Sequence, residues 1–140
     1  MKGKLIWSIF WALVGVFVIV VGGMFTTQLN FPPIVRPILF LTSWALFLLL
    51  GITLLVLTLK EKVAGMLKAF LLLTGASAVG GSASFVLHNL VSGWLGIEEA
   101  VFFILATIVC PLGFLTGAIG SIVLFVKKPW LLPKSPSRRR

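Results

Sequence analysis

His88 is the single histidine of the chain, and Asn89 follows it directly. Ten residues further on stand two adjacent acids, Glu98 and Glu99. An imidazole beside a carboxamide, with carboxylates nearby, is chemistry for a pH-sensitive switch, a ligand to haem, or an outer vestibule for a cation. Each has a plainer counterpart. His88 reads first as an interfacial polar residue, hydrogen-bonded to a carbonyl or a water. Glu98 and Glu99 read first as acids at a helix start, where the macrodipole and the unpaired amides favour negative charge. A six-coordinate haem needs a second strong ligand, and there is no second histidine. No cofactor and no metal are therefore expected.

The remaining reactive groups are equally sparse. Cys110 is the only cysteine, which leaves no disulfide framework and no redox pair. No Ser-His-Asp arrangement, no paired acids and no C-x-x-C occur within the apolar segments. An enzyme is not expected.

What positions these groups follows from composition. Among 140 residues, 59% are hydrophobic and only 11% charged, where soluble domains carry about 25% charged residues. A helix rising about 1.5 Å per residue needs roughly 20 apolar residues to cross a hydrocarbon core of ~30 Å. Four segments qualify, at about 5–26, 38–59, 66–90 and 100–126, and none contains an acid, a lysine or an arginine in its core. The predicted fold class is all-α: an integral membrane four-helix bundle occupying residues 1–130, followed by a basic tail at 131–140. Lys2 and Lys4 precede an apolar run longer than a signal-peptide core, and no small-residue cleavage site follows, so the first segment reads as a retained helix.

Net charge +9 raises the question of nucleic acid, but the distribution answers it otherwise. With the N-terminus in the cytoplasm, Lys2, Lys4, Lys60, Lys62, Lys68, Lys127, Lys128, Lys134 and Arg138 to Arg140 share one side. Of the twelve Lys and Arg, only Arg36 falls on the other. That asymmetry is the positive-inside pattern and places both termini in the cytoplasm. The expected compartment is a prokaryotic cytoplasmic membrane, the expected basic-side partner is anionic lipid, and no nucleic-acid partner is expected. A chain this biased inserts one way, so any assembly of it is parallel.

The third segment contains TGASAVGGSASFVLHN, in which positions 75–84 hold only Gly, Ala, Ser and one Val. In water such a run is a linker. In lipid its backbone must be satisfied internally, so it is predicted to be helical and to pack closely through its small residues. Ala76, Gly80 and Ser84 recur at intervals of four, with Ser77 and Gly81 beside them. The fourth segment carries Gly113 and Gly117 in GFLTG, with Gly120 and Ser121 one turn on. These two faces are expected to cross within the chain. Pro111 lacks an amide hydrogen and is expected to distort the fourth helix, leaving the Thr107 carbonyl without its usual donor.

The leading functional expectation is an interaction protein: an accessory subunit, or a homo-oligomeric membrane component. The alternative is a channel or carrier for a small solute, its path lined by Ser77, Ser82, Ser84, His88 and Asn89. Charge placement makes one outcome testable: reporters active only in the cytoplasm, fused separately to each end, should both be active. Activity at one end alone would overturn the charge reading.

Overall fold

A computed structural model describes residues 2–25, 32–63, 65–97 and 100–127. Glu98, Glu99 and the basic tail after Lys127 lie outside the described residues. The described chain is all-helical, with four helices long and apolar enough to cross a membrane: α1 (Lys2–Phe25), α2 (Val35–Lys60), α3 (Gly65–Leu95) and α4 (Ala100–Lys127). They form an antiparallel up-down bundle in which α2 meets α1 and α3, and α3 meets α4.

Local chemistry sets the helix ends. Pro32 accepts a turn hydrogen bond from Val35 N–H at 2.9 Å, and Pro37 then falls in the first turn of α2. A proline is tolerated there because first-turn amides have no acceptor within the helix. α3 continues past 90 to Leu95, one turn and more beyond the expected 66–90. It stops at Gly96, whose φ of +62° is a left-handed conformation that glycine adopts without a steric penalty. Gly96 N–H closes the end on Ser92 O at 3.2 Å.

The glycines set the spacing between helices. A Cβ placed on Gly51 of α2 would stand 2.9 Å from Ala78 Cβ, and one on Gly75 of α3 would stand 2.8 Å from Leu55 Cγ. On the other side of α3, a Cβ on Gly117 would stand 2.5 Å from Thr74 Oγ1, 2.7 Å from Thr74 N and 2.8 Å from Phe70 O. Glycine on α4 therefore lets backbone approach backbone. Large side chains fill the rest of the core: Ile6, Phe10 and Leu13 from α1, Leu54 from α2, Leu67 and Leu71 from α3, and Phe114 from α4.

α1 approaches α4 differently. Among the described residues they meet mainly through stacked rings, Trp7 on Phe125 at 3.9 Å and Phe17 on Phe114 at 4.2 Å. Both seams of α3, with α2 and with α4, thus have small residues at their closest points, whereas the α1–α4 seam has aromatic pairs.

Substitution separates the two kinds of glycine. Gly117→Ala should lower stability by about 1–3 kcal/mol, since the added carbon meets backbone atoms that cannot step aside. Gly15→Ala, with nothing within 4 Å, should change it by less than about 0.5 kcal/mol or stabilise the helix slightly. Thermal unfolding in detergent measures both, and equal effects would contradict the packing described.

Candidate functional site

α3 is the wall that every other feature uses. Its contact with α4 runs through Phe70, Thr74, Ser77 and Gly81, in steps of four, three and four. Steps of exclusively four residues advance 40° each time around a helix of 3.6 residues per turn, so such a series leaves the contact line. The structure places the expected packing residues accordingly. Gly113 sits on Ser77, where a Cβ would stand 2.5 Å from Ser77 Oγ, and Gly117 sits on Thr74. Gly80 faces Cys110, 3.5 Å from its Sγ by the same measure. Ser84 is buried, and Ala76 is exposed. Phe70, Thr74 and the Gly51–Gly75 contact carry much of the packing and were not singled out from sequence. A glycine alone in the run LLLGITLL, at Gly51, was the available signal for a close approach.

Several hydroxyls along these helices return to their own backbone, while the buried hydroxyls of Thr58, Ser92 and Ser121 have no hydrogen-bond partner. Thr74 Oγ1 donates to Phe70 O at 2.8 Å and Ser82 Oγ to Ala78 O at 2.9 Å. Thr107 Oγ1 donates to Phe103 O at 2.6 Å. Such bonds satisfy the hydroxyl inside the helix and leave its oxygen free to accept.

Above the level of Ser77, towards the end of the bundle that carries the α1–α2 and α3–α4 connections, the helices part around a cavity of about 610 Å³. All four contribute. Phe17, Val20 and Val21 come from α1, and Trp44 and Phe47 from α2. α3 gives Ser77, Gly81, Phe85, His88 and Asn89, and the first half of α4 gives Phe103, Ala106, Thr107, Cys110, Pro111 and Phe114. Trp44 lies flat on Phe85, with centroids 4.6 Å apart and planes 11° apart. The His88 ring stands 5.4 Å from that of Phe103. Of its lining residues, Phe103 and Thr107 on α4 and Asn89 on α3 are exposed.

Two features of the wall are unusual. Leu105–Val109 form a π-helical turn closed by Cys110 N–H on Leu105 O. Pro111 follows at once and supplies no amide hydrogen, so the ladder shifts register before it rather than simply losing one rung. Sequence signalled a distortion at Pro111, but not that it would widen a helix along a cavity wall. The second feature is Trp44, whose ring contributes to the wall while its Nε1, a donor with no acceptor, is covered by protein and does not face the cavity. Leaving such a group unpaired costs about 1–3 kcal/mol.

Of the residues expected to form a polar site, His88 and Asn89 lie together at one end of this cavity. Asn89 Nδ2 donates to Phe85 O at 2.7 Å. Ser77 lies on its wall; Ser82 and Ser84 do not. No Asp, Glu, Lys or Arg lines the cavity among the described residues, and none of them forms a metal-ligating group of three or more side chains. No family model, no curated protein and no solved structure matches the chain.

Proposed function

We propose that this chain is a multi-pass membrane protein, with both ends in the cytoplasm, that works through helix contacts as a homo-oligomer or accessory subunit and catalyses nothing. Support comes first from the contrast between two outward faces. The exposed face of α2 presents Ile38, Leu41, Leu49, Ile52, Val56 and Leu59. Those are side chains that lipid tails solvate well. The exposed face of α1 presents Ser8, Ala12, Gly15 and Gly23 in line with Ile19, flanked by the exposed Leu5, Trp11 and Val18. A Cβ on Gly15 or Gly23 would meet nothing within 4 Å. In lipid, helices associate where small residues let backbones approach, so α1 is the face suited to a second helix.

Charge placement fits the same picture. Lys60, Lys62 and Lys127 are exposed at the end of the bundle that carries the termini, and Arg36 is exposed at the other end. Basic residues near an anionic headgroup layer contribute about 1 kcal/mol each, reduced by salt.

A carrier for a small neutral solute is the second reading, and the cavity beside Ser77, His88 and Asn89 is the observation that favours it. Its walls argue against charged cargo, because an unpaired charge in such a space is strongly penalised. Reconstituted vesicles that pass no neutral solute of a broad panel faster than empty vesicles would eliminate the carrier.

The oligomer is tested on α1. Gly15→Leu should convert the protein in nanodiscs or mild detergent from a dimer or higher form to a monomer, with thermal stability within about 0.5 kcal/mol of the parent. A parent protein that is already monomeric and brings down no partner would overturn the proposal, as would a Gly15→Leu variant that assembles unchanged.

A further inference from the structure

α4 consists of two halves that α3 holds differently. On the Lys127 side of the π-helical turn the contact is tight. A Cβ on Gly113 or Gly117 would stand 2.5 Å from the hydroxyl oxygen of Ser77 or Thr74, and Phe114, Gly117, Ala118 and Ser121 are buried. At Cys110 the approach is looser, where a Cβ on Gly81 would stand 3.1 Å from Cys110 Cβ. Beyond it the clamp ends: no residue from Ala100 to Val109 is buried. The change falls at the π-helical turn Leu105–Val109, beside Pro111. A turn that holds an extra residue, next to a proline without an amide hydrogen, bends with fewer ladder bonds to break than a regular α-helix. Behind this half lies the cavity of about 610 Å³, one wall of which is Phe103, Ala106 and Thr107. Interiors are otherwise close-packed, so this is the side on which a helix segment has room to move.

We infer that the first half of α4, Ala100–Val109, is a hinged flap that swings across the cavity about the π-helical turn while the second half stays fixed on α3. The pivot is at Cys110, which rests on Gly80 and Gly81, where neither glycine has a side chain to block its rotation. Inward movement carries Phe103 and Ala106 toward Phe85, Val20 and Val21, which line the other walls. Ser77 and Phe114 lie at the fixed end, so the clamp is undisturbed while the volume of the cavity changes. Movement of a helix segment about such a point takes microseconds to milliseconds. The inference takes over the membrane placement proposed above; it depends neither on self-association nor on any occupant of the cavity.

Paired spin labels on the full chain in nanodiscs test the hinge, with Cys110→Ala or Cys110→Ser as the background. One pair reports the flap, at the exposed Val101 and the exposed Leu41 of α2; the other reports the fixed half, at the exposed Leu115 and Leu49. The flap pair should give a distance distribution about two-fold or more wider than that of the fixed pair, or two maxima. Removing the exposed Ile108 together with Pro111→Ala takes out the extra residue and restores the donor, so the flap pair should narrow to the width of the fixed pair. Ala106→Phe, which fills the space the flap would cross, should narrow it as well and serves if the deletion does not fold. Equal widths for the two pairs, or a wide flap distribution that neither variant narrows, would overturn the hinge. Amide exchange on the unsubstituted chain gives a reading that needs no label: residues 104–109 should exchange about ten-fold or more faster than residues 114–121, and equal protection would also overturn it. A chain that does not incorporate into nanodiscs at all refutes the membrane placement instead, which keeps the two failures distinct.

Discussion

The backbone-to-backbone contact between α3 and α4 is the constraint on which the remaining geometry depends. At Gly117 the approach is so close that any side chain would meet Thr74 N and Phe70 O. A comparable closeness on the opposite side, at Gly51 and Gly75, fixes α2. α3 is thereby clamped between two neighbours, and its glycine-rich middle stays helical. Each interior glycine costs a helix about 1 kcal/mol relative to alanine. Those in contact gain close packing in return, and the hydroxyls of Thr74 and Ser82 close on their own helix instead of demanding partners elsewhere.

A bundle clamped on the seams of α3 must be filled on the α1–α4 seam. Between Trp7 and Gly23, α1 does this with side chains that become smaller toward the cavity. Trp7 and Phe10 stack near its start, Phe17 meets Phe114 and Phe47 further on, and beyond them come Val20, Val21 and two glycines. Rings hold α1 away from α4, and where the rings run out the separation persists with nothing to occupy it. The cavity begins there. The π-helical turn of α4 lies along the same stretch, where Pro111 denies the ladder a donor. Space in this fold is thus a consequence of a size gradient on one helix and a backbone defect on another.

That origin explains what sequence made legible. Four helices, their approximate bounds and the asymmetry of charge follow from apolar run lengths and from where lysines fall, both of which are properties of one segment at a time. The pairing of Gly113 and Gly117 with the small face of α3 is also readable, because both partners carry short side chains in periodic array. The particular stripe is less so. Thr74 and Ala76 lie about 160° apart around α3, and which of them meets α4 is fixed by the Gly51 and Gly75 contact on the far side. The cavity depended on still more: Phe17, Trp44, Phe85 and Phe103 lie in four separate helices, and nothing in their local spacing relates them. His88 and Asn89 stood out as polar residues in an apolar helix, yet their setting is largely aromatic, which only the assembled bundle reveals.

The same accounting of glycines bears on α1. Inside the bundle each glycine that is pressed against a neighbour has a packing reason to be there. Gly15 and Gly23 have none among the described residues, where a Cβ on either would meet nothing within 4 Å. Leucine or alanine at those positions would favour the helix and would be well solvated by lipid, as on the outward face of α2. A helix that gives up that propensity repeatedly on one face, between Ser8 and Ala12 at one end and Gly23 at the other, gains from it only if another backbone comes close. The rule that organises the interior, with small residues where helices touch, is what supports the proposal that the outer face of α1 meets a second helix.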